Sequence, residues 1–188
     1  MKRAKEGPSV IRIRPSFAVL AGFLLAGLAA ACGSASAPLT VPGAAGEATI
    51  TRGALRAVRA QWPNVEIGTP RSATCPSATG APTTLLQGDF DGDGSRDSVL
   101  WISTNGAPRL VAVFTRLNDE YVVVDLGDAA AASTGMLEMG ARGAPYQAAN
   151  LAIELHYGVD TVVLRECDGT ATAYLWTGST FRPEPLAS

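Results

Sequence analysis

The sequence predicts an α+β fold, mainly an antiparallel β-sheet built as a hairpin meander, with one N-terminal amphipathic helix. Over most of the second half of the chain, apolar and polar residues alternate with the period of two that a half-buried strand shows. Asn105-Gly106, Asn118-Asp119 and Asp168-Gly169 separate these segments, and such dipeptides favour tight hairpin turns. An earlier segment, 51–62, instead shows helical periodicity. The length of 188 residues indicates a single domain.

Residues 1–31 have the composition of a secretory signal peptide. Five basic residues and one acid precede an apolar run that ends in Ala29-Ala30-Ala31, a small-residue end of the kind that signal peptidases cut. The alternative is a retained transmembrane anchor. The apolar run, from Ser16 to Cys32, is rich in Ala and Gly and is shorter than the roughly 20 residues that span a bilayer. We therefore predict export.

The segment Leu28-Ala29-Ala30-Ala31-Cys32-Gly33 resembles the lipobox of bacterial lipoproteins, in which the thiol of the cysteine carries a diacylglycerol. It departs from the family pattern because Leu28 lies four residues before the cysteine rather than three. The resemblance implies lipidation of Cys32, a membrane-anchored protein and a periplasmic or cell-surface location. The alternative is ordinary cleavage after Ala31, which leaves Cys32 as a free thiol.

The cysteine count agrees with lipidation. The chain has three cysteines, Cys32, Cys75 and Cys167, and an odd number in an exported protein leaves one thiol to explain. If Cys32 is acylated, Cys75 and Cys167 remain to form a disulfide in an oxidising compartment. The alternative is that these two cysteines are buried and unpaired.

Composition after the leader indicates a tether followed by an acidic domain. Residues 32–46 are small and interrupted by Pro38 and Pro42, which is typical of a flexible tether, and residues 47–188 form the predicted domain. Without the leader the chain has 10 basic and 16 acidic residues, since five and one are removed from 15 and 17. A net charge of −6 argues against a nucleic-acid partner.

Segment by segment, the domain begins with an amphipathic helix at 51–62. Leu55, Val58 and Trp62 share one helical stripe, Thr51 can cap the helix and Pro63 can stop it. Residues 63–83 are rich in Pro, Thr and Ser and are predicted to be a connection. Strands are predicted at 83–88, 98–103, 109–116, 120–126, 151–157, 160–167 and 170–176, with a short one at 135–139 in an otherwise irregular stretch from 127 to 150.

A loop crowded with carboxylates, GDFDGDGSRDS at 88–98, is the most informative motif. Counted from Asp89, carboxylates stand at positions 1, 3, 5 and 9, and Gly94 at position 6 permits a left-handed turn. Adjacent carboxylates repel, so an ion shared among them explains the crowding. Calcium suits an irregular shell of six to eight oxygens better than magnesium does. The alternative is a solvated acidic hairpin, because Asp-Gly is itself a turn former.

An EF-hand needs a glutamate at position 12 and helices on both sides, whereas position 12 here is Leu100 and both flanks are predicted strands. The loop instead resembles the calcium loop of FG-GAP and VCBS-type repeats, Asp-x-Asp-Gly-Asp-Gly-x-x-Asp between two strands. The resemblance covers 84–103. It implies side-chain ligands Asp89, Asp91, Asp93 and Asp97 and a backbone ligand from Ser95. A single copy in a chain this short does not predict a full propeller.

Catalysis is not predicted. The one histidine, His156, is expected on the exposed side of the 151–157 strand beside Glu154, with Leu151, Ile153, Leu155 and Tyr157 facing the core. No second histidine exists for a zinc site and there is no G-x-S-x-G motif.

The predicted function is therefore a non-catalytic envelope lipoprotein with a calcium-stabilised β domain that binds or scaffolds an envelope protein or polysaccharide. Tyr174 and Trp176 share a strand face and are one candidate ligand face; the alternative is that they belong to the core. The alternative function is a metal-assisted hydrolase using Glu154 and His156.

Overall fold

Alternating apolar side chains build two antiparallel sheets in this protein. The structure is a computed structural model that describes residues 38–43, 46–68, 83–127 and 135–187. In chain order its elements are β1 (Leu39–Gly43), β2 (Gly46–Ile50), α1 (Arg52–Gln61), β3 (Val65–Ile67), β4 (Leu85–Gly88), β5 (Asp97–Thr104), β6 (Ala107–Thr115), a 3-10 turn (Leu117–Asp119), β7 (Tyr121–Asp125), β8 (Met136–Gly140), β9 (Pro145–Tyr146), β10 (Leu155–His156), β11 (Thr161–Arg165), β12 (Ala171–Trp176) and β13 (Phe181–Pro185).

The strands pair almost entirely in the antiparallel sense. The first sheet, here sheet A, has the order β2-β1-β4-β5-β6-β7, and β3 also pairs with β5. Its one parallel contact joins β1 to β4. The second sheet, sheet B, has the order β13-β12-β11-β8, and β9 pairs with β10 as a separate two-stranded hairpin. The predicted class, mainly antiparallel sheet with one helix in the described part of the chain, is confirmed.

Two apolar cores lie on opposite faces of sheet A. Along β5, Val99 and Trp101 face one core, and Leu100 and Ile102 face the other, as the period of two requires. The first core lies between the two sheets, because it also contains Val162, Leu164 and Tyr174 of sheet B. The second lies between sheet A and the helix.

Helix α1 forms where its apolar stripe predicted it. The Thr51 side chain accepts a hydrogen bond from the backbone N–H of Ala54 at 3.2 Å and caps the helix. Leu55 and Val58 are buried in the core beneath the helix, with Trp62 packed against it. The N–H of Trp62 closes the last turn on the carbonyl of Val58 at 2.9 Å.

The predicted turns also form. Asn105 and Gly106 join β5 to β6 with φ of 53° and 78°, the two positive values that a type I′ hairpin turn requires. The dipeptide Asn118-Asp119 lies between β6 and β7, and Asp168-Gly169 lies between β11 and β12. The hairpin meander predicted for these pairs is therefore confirmed.

The prediction of a tether over 32–46 is wrong where the structure describes that segment. Residues Leu39–Gly43 form β1 and pair with β2 over five residues. Leu39 and Val41 lie two apart and pack toward the helix-side core. The small residues and the proline of this segment predicted a tether. Its alternating apolar residues instead form a strand, because neighbouring strands pair with it.

The strand predicted over 151–157 is also wrong for most of its length. Only Leu155 and His156 are in a strand, and Leu151 and Ile153 are 42% and 60% exposed rather than in the core. Residues near 150 turn instead, because the N–H of Leu151 bonds the carbonyl of Ala148 at 3.1 Å. Tyr157 is buried, as expected, although it follows the strand. The sequence analysis also missed β2, β3, β9 and β13.

Several predictions fall outside the described residues. These are the signal peptide at 1–31, lipidation at Cys32, residues 128–134 of the irregular stretch and the position of Cys75. Cys167 lies in the turn between β11 and β12 and is disulfide-bonded. Its pairing with Cys75 stays a prediction.

Candidate metal centre

The acidic loop is the connection of a β-hairpin. The last residue of β4 and the first of β5, Gly88 and Asp97, are paired across the hairpin, so the loop between them leaves and returns at the same edge of sheet A. Phe90 is fully buried in the core between the sheets. The buried Phe90 ring fixes the loop at its base. The aspartates of the loop are grouped above this ring.

Hydrogen bonds within the loop curl its backbone around the carboxylates. Asp89 Oδ1 accepts from the N–H of Gly92 at 2.8 Å, and Asp91 Oδ1 accepts from the N–H of Asp93 at 3.1 Å. Asp93 Oδ1 accepts from the N–H of Ser95 at 2.7 Å. Gly94 has a φ of +84°, which confirms the left-handed turn predicted for it.

Asp97 is a fully buried carboxylate at the floor of the loop. Its Oδ1 accepts from the N–H of Thr115 at 2.9 Å, and its Oδ2 accepts from the N–H of Phe90 at 3.1 Å. Burial raises the pKa of Asp97 to about 6; the charges of Asp91 and Asp93 add to the rise and the two N–H donors oppose it. A positive charge near this carboxylate would therefore stabilise its ionised form.

Arg116, one residue beyond β6, supplies the counter-charge in this structure. Its Nη1 hydrogen-bonds Asp91 Oδ2 and also lies 2.9 Å from Asp93 Oδ2. The hydrogen bond to Asp91, more than any other contact, raises the pKa of Arg116. The guanidinium carbon also lies 5.3 Å from the ring centroid of Phe114, within the range of a cation–π contact.

Asp160, just before β11, ties the loop to sheet B. Its Oδ2 accepts from the N–H of Asp89 at 2.9 Å, its Oδ1 accepts from the N–H of Arg142 at 3.0 Å, and its own N–H donates to the carbonyl of Asp89 at 3.1 Å. Gly88 makes room for this contact, because a Cβ there would lie 2.6 Å from Asp160 Oδ2. The loop is thus held by both sheets.

Three of the predicted ligands converge. Asp89, Asp91 and Asp97 each offer a carboxylate oxygen, and the three oxygens lie within 4.8 Å of one another. In the described part of the chain this is the one group of three such side chains close enough to share an ion. Asp93 is not in the group; its oxygens accept from the N–H of Ser95 and from Arg116. Oxygen donors alone fit a hard cation.

The sequence analysis missed Arg116 and Asp160 as members of the site. Arg116 is 25 residues from Asp91, and Asp160 is 71 residues from Asp89. For Arg116 a signal existed: β6 follows β5 through a tight turn, so the end of β6 must return to the start of β5. Asp160 belongs to the other sheet, and no pattern in one sequence indicates that contact.

Tyr174 and Trp176 do not form a ligand face, so that prediction is wrong. Tyr174 is 3% exposed in the core between the sheets. Trp176 packs against this core, with its ring 4.5 Å from Phe114 and 5.1 Å from Phe181 between centroids. Both side chains therefore point at sheet A rather than at solvent. Trp101 is also buried in this core.

Glu154 and His156 lie together at the surface. His156 Nε2 is 3.7 Å from Glu154 Oε1, both side chains are more than half exposed, and His156 Nδ1 contacts the carbonyl of Gly143 at 3.0 Å. The exposure expected for His156 is confirmed. Neither residue belongs to the group of converging carboxylates.

Comparisons with protein-family models, curated proteins and solved structures gave no match. Among the helices formed by the described residues, none has the length and apolar character needed to cross a membrane.

Proposed function

We propose that this protein is an exported, membrane-anchored lipoprotein whose folded part is a non-catalytic binding domain stabilised by one calcium ion. The observation that carries the proposal is the convergence of three carboxylate oxygens, from Asp89, Asp91 and Asp97, within 4.8 Å. The domain serves an envelope protein or polysaccharide. The calcium ion holds the domain together and takes no part in a reaction.

Electrostatics supports a bound cation. Two unit charges 4.8 Å apart repel by about 3.5 kcal/mol at an effective dielectric of about 20, and the three carboxylates make three such pairs. Arg116 offsets part of this repulsion at Asp91 and Asp93, but it contacts neither Asp89 nor Asp97. Asp97 is also shut off from water, which would otherwise screen it. A divalent ion is the counter-charge that reaches all three.

Calcium suits this loop better than magnesium does. Magnesium requires a near-ideal octahedron and retains its waters, whereas calcium accepts an irregular set of carboxylate and carbonyl oxygens. Three carboxylates are already in place, and Asp93 and the carbonyl of Ser95 are close along the loop. Asp93 joins the set by exchanging its contact with Arg116 for the ion. This shell agrees with the resemblance to FG-GAP and VCBS-type loops.

A structural role follows from where the loop is fastened. One side of the loop closes the β4–β5 hairpin of sheet A, and Asp160 joins it to the start of β11 in sheet B. An ion that orders the loop therefore stabilises the packing of one sheet on the other. Calcium present at 100 times its dissociation constant would add about 2.7 kcal/mol to the free energy of unfolding.

The proposal is tested by calcium titration with calorimetry on paired variants. Asp91→Asn should weaken calcium binding, because it removes one carboxylate of the three. Arg116→Gln should strengthen it about tenfold, because it removes a cation that occupies the same carboxylates, a repulsion of roughly 1.4 kcal/mol. Opposite changes from the two variants distinguish a cation site from a loop that is merely fragile.

Matched controls make these charge changes outside the site. Asp119→Asn removes an exposed acid in the turn before β7, and Arg182→Gln removes an exposed base in β13 that pairs with Glu184. Both should leave the calcium affinity within about twofold of wild type. The cation proposal fails if wild type binds no calcium at millimolar concentration, or if Arg116→Gln and Asp91→Asn change affinity in the same direction.

Membrane anchoring has a separate test. The segment around Cys32 predicts a diacylated cysteine, and two acyl chains are enough for stable attachment. Cys32→Ser should abolish metabolic labelling with palmitate and release the protein into the soluble fraction. Cys75→Ser is the control that replaces a cysteine predicted to lie in a disulfide, and its labelling should be unchanged. Full membrane retention of Cys32→Ser would contradict lipidation.

A further inference from the structure

A groove lies on the outer face of sheet B, the face turned away from sheet A. One wall is the sheet itself at β8 and β11, with Glu138, Gly140 and Arg165. The opposite wall is the β9–β10 hairpin region, with Tyr146 and Tyr157. The groove has a volume of about 410 Å³, within the range of roughly 300–1,000 Å³ that is usual for sites that hold small molecules.

The Tyr157 ring is buried, but its hydroxyl opens into this groove. Tyr157 is 6% exposed, and among the described residues its hydroxyl has no hydrogen-bond partner. Every described side-chain nitrogen or oxygen that is fully shut off from solvent does have a partner, so solvent reaches this hydroxyl, and Tyr157 lines the groove. The hydroxyl is therefore available to exchange water for a hydrogen bond with a ligand in the groove.

The two tyrosine rings form a fixed platform. Tyr146 and Tyr157 stack with their centroids 4.4 Å apart and their planes 9° from parallel. The backbone of Tyr157 is held on both sides, because its carbonyl accepts from Gly143 and its N–H donates to Ala144. Gly140 is required beneath the ring, since a Cβ there would lie 2.5 Å from Tyr157 Cε2. Little ordering entropy remains for these side chains to lose on binding.

Arg165 and Glu138 bring both hydrogen-bonding roles to the groove with no net charge. Arg165 Nε lies 3.1 Å from each carboxylate oxygen of Glu138. The two terminal nitrogens of the guanidinium have no acceptor among the described residues. The groove therefore offers free N–H donors, carboxylate acceptors and two phenols. Its formal charge is zero, because the base and the acid are paired.

From these groups we infer that the groove binds an uncharged, hydroxyl-rich ring, namely a neutral sugar unit. Adjacent hydroxyls of a pyranose can accept from Arg165 and donate to Glu138, and the C–H face of the ring can rest on a tyrosine. A carboxylate on the ligand would be repelled by Glu138, and a protonated amine would be repelled by Arg165. An apolar ligand would leave the Tyr157 hydroxyl and the guanidinium unpaired, which costs affinity.

This inference rests on the binding role proposed above and narrows its polysaccharide branch to a site and a ligand class. The test uses the full chain and a panel of neutral hexoses, N-acetylhexosamines and their disaccharides. Saturation-transfer NMR detects binding and calorimetry measures affinity. Two charged sugars are measured beside this panel. Galacturonic acid should bind more weakly than galactose, and glucosamine should bind more weakly than glucose.

Variants connect binding to the groove. Tyr157→Phe keeps the ring and removes the hydroxyl, so affinity should fall about 3- to 10-fold, the effect of one hydrogen bond. Tyr146→Ala removes the stacking surface and should lower affinity about tenfold or more. Tyr174→Phe is the matched control, because Tyr174 is equally buried but lies in the core between the sheets; its affinity should stay within about twofold.

Three results would overturn the assignment. These are no neutral sugar binding more tightly than about 10 mM, equal losses in Tyr157→Phe and Tyr174→Phe, or tighter binding of galacturonic acid than of galactose. Melting the same samples with calcium and with chelator separates this inference from the proposal on which it rests. A calcium-dependent melting temperature without sugar binding refutes the groove alone. Sugar binding without a calcium effect refutes the cation site alone.

Discussion

Replacing Asp97 with asparagine should remove the response to calcium without unfolding the calcium-free protein. Asp97 is fully buried and accepts hydrogen bonds from the N–H groups of Phe90 and Thr115. It is also one of the three converging carboxylates. An asparagine has nearly the same shape, so the substitution removes the charge and one acceptor while the packing is kept.

Two opposing terms set the stability of the calcium-free variant. Raising the pKa of Asp97 from 3.8 to about 6 means that its ionisation in the folded protein costs about 3 kcal/mol at pH 7.5, and the amide avoids this cost. The amide has one acceptor oxygen where the carboxylate has two, so one backbone N–H loses its partner, which costs about 1–3 kcal/mol. The variant in chelator should therefore be between neutral and about 2 kcal/mol more stable than wild type.

With calcium the order reverses. At 100 times the dissociation constant, wild type gains about 2.7 kcal/mol, which raises the melting temperature by about 5–11 °C for a domain of this size. If the loss of one carboxylate weakens binding about 100-fold, the same calcium concentration adds only about 0.4 kcal/mol to the variant.

Differential scanning fluorimetry with calcium and with chelator measures both states. Asp119→Asn, which removes an exposed acid, is the control and should respond to calcium as wild type does. An unchanged calcium response in Asp97→Asn would refute the role of Asp97 as a ligand. A large loss of stability in chelator would refute the balance of terms.

The remaining predictions concern pH, a glycine and the link between the sheets. The pKa of Asp97 is higher in the folded protein than in the unfolded chain. Its contribution to calcium-free stability is therefore fully present below about pH 4 and is lost as the pH rises through about 6. In chemical denaturation, the free energy of unfolding of wild type relative to Asp97→Asn should fall by about 3 kcal/mol across this window. Gly140→Ala should cost about 1–3 kcal/mol, because the new Cβ overlaps Tyr157, whereas Gly158→Ala, which meets nothing within 4 Å, should be neutral or slightly stabilising in the same denaturation assay. Asp160→Ala should cost about 2–4 kcal/mol, since two backbone N–H groups lose a charged acceptor, and hydrogen exchange should show the acidic loop opening first.

Local patterns in the sequence were enough for most of the fold. The hairpins around Asn105 and Asp168 and the helix after Thr51 follow from turn chemistry, capping and periodicity, all of which act within a few residues. β1 and the stretch near Leu151 were mispredicted for a different reason. A short strand such as β1 is stabilised by its neighbours in the sheet, and the exposed residues near Leu151 follow a local turn despite their apolar character.

The candidate metal centre was predictable where its residues are consecutive and not where they are distant. The spacing of the aspartates was enough to predict a group of carboxylates in one loop and a left-handed turn at Gly94, and the folded chain has both. Arg116 and Asp160 reach the loop only after strands pair and sheets pack. Tyr174 shows the opposite limit, since alternation marks the two faces of a strand but does not tell which one is covered. For this strand the aromatic face packs on sheet A, and the opposite face, with Ala171 and Ala173, is buried as well.

The acidic loop and the groove lie close along the chain, and Asp160 lies between them. The backbone of Tyr157 is bonded to Gly143 and Ala144, whereas Asp160 is bonded to Asp89 of the acidic loop and to the N–H of Arg142. The hydrogen bonds that hold the tyrosine platform therefore include no member of the loop. Below the melting temperature, removal of calcium should loosen the loop and leave the platform in place, so that each site can be lost without the other.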